Sequence, residues 1–181
     1  MKFAALLPLF FLFPSCNSRP TLPSYGVVPN FALVDQSGRA FDSARQLDGK
    51  VWIANFIFTN CAGPCPRMTS QLRQIRDKAN TTGQLRLVSF TIDAARDTPA
   101  VLLTYSKRFG ADPQRWFFLT GPQPELHNLS RNVFKLGDVD GTLQHSTRFV
   151  LIDSDRRIRG YYDSSNEEAI RKLIEDIQRV S

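Results

Sequence analysis

Along this chain the apolar residues change period several times, and each change marks an element. The stretches at 31–34 and 40–41, separated by Gln36-Ser37-Gly38, predict a small hairpin. Residues 51–58 form a nearly continuous apolar run of strand length, as expected of a strand buried on both faces. Pro64 and Pro66 suit the first turn of a helix whose stripe is Met68, Leu72, Ile75 and Ala79. A second strand is predicted over 85–92. Thr98-Pro99 reads as a cap and first residue of a helix carrying Val101, Leu102, Tyr105 and Phe109, stopped by Gly110. Then follow a short strand at 116–119, a helix over 125–134, strands at 148–152 and 158–162 around a turn at 153–157, and a last helix from 166 to 180.

Strands alternating with helices, then a hairpin and a closing helix, predict an α/β domain with a central mixed sheet flanked by helices. Open sheets of this kind bind ligands at the carboxyl ends of their parallel strands. Cys61 follows one such strand and Asp93 the next. The strand at 148–152 enters a hairpin and is expected to run antiparallel to those two. Its approach, Gln144-His145-Ser146, then meets the same edge. Two thiols, one imidazole and one carboxylate, distant in sequence, are thereby expected to converge.

The first residues change the picture of where this chemistry operates. Met1-Lys2 is followed at 3–13 by a stretch without charged or strongly polar side chains, then by Ser15-Cys16. The stretch is shorter than the roughly 20 apolar residues a spanning helix needs, and it fits a secretory signal. A small residue followed by cysteine gives it the look of a bacterial lipoprotein signal, with Cys16 as the lipidated residue. The expected division is a signal at 1–15, a Ser/Pro/Asn/Gly-bearing tether at 16–29 and a single domain at 30–181. The domain then works outside the cytoplasm, in the cell envelope and anchored to the membrane through lipid.

Composition adds limits. The chain has 181 residues and a formal charge of +6, with pI near 9.5. Its basic residues are scattered, and the one dense cluster, Arg156-Arg157-Ile158-Arg159, sits at a turn, so no nucleic-acid surface is expected. A monomer is expected.

Of three cysteines, Cys16 belongs to the leader, leaving Cys61 and Cys65 in Cys61-Ala-Gly-Pro-Cys65 at a strand-to-helix corner. Such corners favour thiolates. The pair either exchanges with a disulfide or grips a soft metal. The spacing is wider than that of typical thioredoxin-like redox motifs. Two thiolates and an imidazole suit Cu(I) in a three-coordinate site, whereas zinc accepts the same ligands but usually takes a fourth. Of the two histidines, His127 reads as a surface residue and His145 as a ligand. Asp97, beside Thr98-Pro99, reads as a helix-start residue meeting free N–H groups. Asp93 reads as a turn residue that also stands where it could orient an imidazole or mark a docking surface. No proline follows Pro124, so the cis-proline that thioredoxin-type oxidoreductases place before their antiparallel strand is absent, and His145-Ser146-Thr147 occupies that slot.

These residues resemble a family. Phe56-Ile-Phe-Thr-Asn-Cys61-Ala-Gly-Pro-Cys65-Pro66, Phe90-Thr-Ile-Asp93-Ala-Ala-Arg96-Asp97-Thr98-Pro99, Tyr105-Ser-Lys-Arg-Phe-Gly-Ala-Asp112, Trp116-Phe-Phe-Leu-Thr-Gly121 and His145-Ser-Thr-Arg-Phe-Val-Leu-Ile-Asp153 occur in the order found in the Sco (SenC) proteins. Those are thioredoxin-fold copper chaperones of cytochrome c oxidase assembly. The likeness covers nearly all of 29–180. It departs at Ala62-Gly63, where the family often carries Pro-Asp, at Asn60, where histidine is common, and at Ala94, where proline is frequent. The resemblance implies a thioredoxin-like fold and copper ligation by Cys61, Cys65 and His145, as Cu(I) with Cu(II) as a second form. It also implies delivery to the dinuclear centre of oxidase subunit II or another copper acceptor. The alternative is a thiol–disulfide reductase that keeps the acceptor's cysteines reduced, with Cys61 attacking as the thiol nearer the helix start, Cys65 resolving and His145 nearly dispensable.

Overall fold

Residues 21–79, 84–136 and 146–181 are described by the computed structural model. Among them seven strands, β1 (Ala32–Asp35), β2 (Ala40–Asp42), β3 (Trp52–Ile57), β4 (Arg86–Thr91), β5 (Trp116–Thr120), β6 (Arg148–Ile152) and β7 (Ile158–Asp163), form one sheet in the order β2-β1-β5-β4-β3-β6-β7. β3, β4 and β5 are parallel, and β1 and β6 flank them antiparallel. The sheet is therefore mixed, with the expected hairpin at its N-terminal side and helices α1 (Ser43–Gln46), α2 (Pro64–Lys78), α3 (Pro99–Arg108), α4 (Gln123–Asn128) and α5 (Glu167–Val180) around it.

The apolar run at 51–58 takes the centre because both its faces are covered. Ile53 and Ile57 join Met68 and Leu72 of α2, Leu102 of α3 and Leu173 and Ile177 of α5. Trp52, Ala54 and Phe56 face an aromatic layer with Phe31, Phe90 and Phe134. Phe56 stacks on Phe90 at 5.0 Å, and Phe134 meets Trp52 edge-on at 6.0 Å. Each such side chain contributes about 1.5–3 kcal/mol on burial. Asn55, set within the apolar run, is fully buried and accepts from Ser89 Oγ at 2.7 Å. Ser89 Oγ in turn accepts from Trp116 Nε1 at 3.1 Å, so polar side chains link the three parallel strands. At the other end Gln36 extends the β1–β5 ladder with its amide, donating to Trp116 O and accepting from Phe118 N.

Two segments differ from the sequence reading. The helix expected over 125–134 starts at Gln123 and, after Asn128, widens into a π turn at Leu129–Val133. Phe134 N donates to Leu129 O at 2.8 Å, a five-residue step that puts both side chains on the buried side. Val101, assigned to the apolar stripe of α3, is 39% exposed. The stripe is carried by Leu102 and Tyr105.

Upstream of β1, residues 22–28 lie against β7. Tyr25 N donates to Ile158 O, Ile158 N to Gly26 O and Val28 N to Arg156 O, each at 2.9 Å. Arg159 donates to Leu22 O, and Leu22 enters the core beneath α5.

Candidate functional site

The carboxyl ends of β3 and β4 build the site. β3 leaves the sheet at Ile57, whose carbonyl accepts from Ile92 N at 2.9 Å, and the chain turns through Thr59 and Asn60 to Cys61. α2 begins three residues later. Gly63 stands at its cap without a side-chain bond, and Pro64 and Pro66 carry no N–H, so few donors at this end need partners. Cys65 lies within the first turn and is fully buried, whereas Cys61 lies before the helix and is half-buried. The nearer thiol to the helix start is thus Cys65, not Cys61 as the reductase alternative supposed. Neither is joined in a disulfide, and the two thiols lie within hydrogen-bond reach of each other. Burial pushes the Cys65 thiol far up. The Phe58 and Cys65 backbone N–H groups pull it back only in part, and Cys61 pushes in the same direction as burial.

Two further groups hold this corner. Thr69 donates to Cys65 O at 2.9 Å and accepts from the Tyr105 hydroxyl at 3.1 Å, which ties α2 to α3 beneath the thiols. The Tyr105 phenol is pushed up to about 12 by burial, with the thiols adding to the shift and Thr69 opposing it. The second holder is Asp97. Its carboxylate does not cap α3: that role falls to Thr98, which accepts from Val101 N at 3.4 Å. Instead Asp97, 1% exposed, accepts from Thr59 N (3.1 Å), Thr59 Oγ1 (2.5 Å) and Thr91 Oγ1 (2.5 Å). It clamps the end of β3, two residues before Cys61, to the end of β4.

Asp93 is 7% exposed and is the turn residue of this corner. Its carbonyl accepts from Arg96 N and Asp97 N, and its carboxylate pairs with Arg96 at 2.7 Å. His127, read as a surface residue, is half-buried. Its Nε2 accepts from Gln123 Nε2 at 2.8 Å, while Gln123 also donates to Ile92 O and accepts from Ala94 N. Thr59 and Tyr105 carry no sequence signal of these roles, because their partners lie about 30–40 residues away, and the i,i+4 spacing of Gln123 and His127 discloses their pairing but not the bond of Gln123 to Ile92 O. His145, assigned as the third ligand, and Cys16, assigned as the lipidation site, lie outside the described residues. Among the described residues no group of three histidine, cysteine or acidic side chains is placed to hold a metal ion, and no helix is long and apolar enough to cross a membrane.

The arrangement offers two adjacent thiols, one reachable from solvent and one shielded, at a rigid corner. That donor pair suits a soft cation or a disulfide exchange.

Comparison with known proteins agrees with the fold. A SCO1/SenC family lipoprotein from Bacillus anthracis superposes with TM-score 0.77 at 28% identity, covering 85% of this chain and 94% of the other. BsSco, described as a member of the Sco family of cytochrome c oxidase assembly proteins with a disulfide switch, gives 0.76 at 25% identity, over 89% and 98%. Yeast Sco1 with copper bound gives 0.65 at 27%, over 89% and 95%. The fold is the thioredoxin-like one of these proteins. The family model described as SCO1/SenC matches residues 20–181, and the chain belongs to that family.

Proposed function

We propose that this chain is a membrane-tethered, extracytoplasmic copper-binding protein that passes copper to the dinuclear centre of cytochrome c oxidase subunit II. The observation that carries the reading is the pair of thiols of Cys61 and Cys65 after the end of β3, not joined in a disulfide and within hydrogen-bond reach of each other. Family membership, and the description of yeast Sco1 with copper bound, support it. Copper is cargo here. Cys61, Cys65 and His145 would hold it, and Asp93 would stand beside the site as an orienting or docking residue. Cu(I) replaces the thiol protons on binding, so a buried thiol that resists ionisation in the free protein is no obstacle to a thiolate–copper bond. The leader ending at Cys16 supplies the anchor.

The test is the Cu(I) affinity of the reduced protein beside that of His145→Ala. Tight one-to-one binding that falls at least about 100-fold without the imidazole supports the three-ligand site. Weak binding by the wild type, or equal binding by the variant, refutes it.

A second reading is favoured by the unequal exposure of the thiols. Cys61 is the accessible one and Cys65 the shielded one, as in an attacking and resolving pair. Cys61 thiolate attacks one sulfur of an acceptor disulfide and the other sulfur leaves as thiolate. Cys65 then attacks Cys61 in the mixed disulfide, releasing a reduced acceptor and leaving a Cys61–Cys65 disulfide. An external dithiol must reduce that disulfide for another cycle. In this reading His145→Ala reduces an acceptor disulfide as fast as wild type, while Cys61→Ser does not react.

A further inference from the structure

A shallow groove of about 460 Å³ runs along α3 beside the thiol corner. Thr59, Ala100, Val101, Thr104, Tyr105 and Arg108 line it, with no carboxylate among them. From Ala100 to Arg108 is about 12 Å of helix, the length of three or four residues of extended chain. Arg108 ends the groove, its guanidinium 5.7 Å from the centre of the Phe109 ring. The fold makes little use of Val101, which stands largely exposed. Leu102 and Tyr105 carry the buried stripe of α3, and valine is a weaker helix former than alanine. Single exposed apolar residues are ordinary on protein surfaces. What sets Val101 apart is its place.

Two of the lining residues belong to the thiol corner. Thr59, held by Asp97, precedes Cys61 by two residues, a span of at most about 7 Å. Tyr105 bonds Thr69, which bonds Cys65 O, and both thiols act on its phenol. Cys61 is half-buried and Cys65 is shielded. A sulfur that bonds Cys61 approaches to about 2 Å, so the chain on either side of it is brought down onto the neighbouring surface. Residues two places from that sulfur's own cysteine, about 7 Å along an extended chain, then come level with Thr59 and the groove.

We propose that this groove seats an apolar side chain of the acceptor segment that meets Cys61, carried close to that segment's own cysteine and packed on Val101 and Ala100. Exchange at Cys61, on which this rests, is common to the copper and the reductase readings. The groove adds what the partner must carry: a cysteine with a large aliphatic or aromatic residue near it in sequence, on a chain free to lie extended along α3.

The experiment uses the full chain with Cys16→Ser, reduced and free of copper, so that only Cys61 and Cys65 react. Two peptides, Gly-Leu-Gly-Cys-Gly-Leu-Gly and the same with serine for leucine, carry thionitrobenzoate on their cysteine. The Cys61 thiolate attacks the peptide sulfur, a Cys61–peptide disulfide forms, and thionitrobenzoate leaves and is read by its absorbance. Leucine on both sides lets either chain direction place one on Val101. The leucine peptide is expected to react about tenfold faster than the serine peptide. Val101→Gln keeps bulk and helix propensity but not the apolar surface, and it should abolish that preference. Dithiodipyridine, a small disulfide with no side chain to seat, should react equally with both proteins, which separates the groove from any change in the thiols. Equal rates for the two peptides in the wild type, zero included, overturn the proposal, as does a preference that survives Val101→Gln. A dimer in sedimentation that Val101→Gln dissociates, without a leucine preference, gives the groove to a second copy of the chain and also overturns it. Copper takes no part in this assay. A failed copper titration therefore leaves the groove standing, and a failed peptide preference leaves the copper site standing.

Discussion

Asparagine at position 97 tests whether the thiol corner is clamped or merely adjacent to a helix start. The Asp97 carboxylate receives three hydrogen bonds from two threonines and makes none to the N-terminus of α3. A bond to a charged acceptor contributes about 1.5–3 kcal/mol, and an orphaned buried donor costs about 1–3 kcal/mol. Asparagine keeps one acceptor oxygen and turns an NH₂ group toward at least one of these donors. Asp97→Asn should therefore destabilise the protein by about 2–4 kcal/mol. For a domain of this size that is a fall in Tm of about 5–15 °C. A urea titration reads the loss as a lower midpoint with an unchanged slope. The functional readout is alkylation of Cys65, fully buried in the wild type: releasing Thr59 loosens the turn that covers it, and its labelling rate should rise. Thr98→Ala, which removes the true cap of α3, should cost about 1 kcal/mol and leave Cys65 protected. If Asp97→Asn costs under about 0.5 kcal/mol, or if both variants expose Cys65 alike, the clamp is not what fixes the corner.

Four other outcomes rest on the same structure. Asp176 is buried, which alone would raise its carboxyl, but Lys172, Tyr162 and Arg179 bond to it and hold it below the usual carboxylate range. Its contribution is thus present above about pH 4 and lost as pH falls through the folded value, and Asp176→Asn should flatten the acid limb of a stability-versus-pH curve. A Cβ on Gly160 would meet Tyr162 Cζ at 2.6 Å, so Gly160→Ala should push the ring off Asp176 and cost about 1–3 kcal/mol by calorimetry. Tyr105→Phe should cost about 1 kcal/mol through loss of its bond to Thr69. In the wild type one phenol should ionise only near pH 12 in an absorbance titration.

The fold was legible where pattern and position coincide. The run at 51–58, of strand length, is the strand covered on both faces that it suggested, and Pro64, Pro66 and Thr98-Pro99 set helix starts to within a residue. The antiparallel setting of β6 against β3 followed from its hairpin. What stayed hidden depends on partners far apart in sequence. Asp97 read as a helix-start residue because it stands beside Thr98-Pro99, and nothing local discloses that its carboxylate faces Thr59. The π turn after Asn128 leaves apolar spacing close to that of an ordinary helix. Cys61 and Cys65 announced themselves by their corner, but their unequal burial, which sets apart their chemistry, depends on how α2 and Phe58 pack around them.

The segment at 22–28 bears on how the edge of the sheet is closed off. β7 is the last strand of the sheet, and an uncovered last strand offers a row of donors and acceptors to any other extended chain. Tyr25, Gly26 and Val28 occupy that row at Ile158 and Arg156, and the Tyr25 ring lies edge-on to Tyr161 at 5.5 Å. A shortened chain beginning at residue 30, where the strong apolar pattern starts, would keep the whole thiol site and yet present a bare, partly apolar edge. Held at high local concentration on a surface, such a chain would pair edge to edge with its neighbours. The few residues ahead of the sheet thus act as a selvedge where that edge begins.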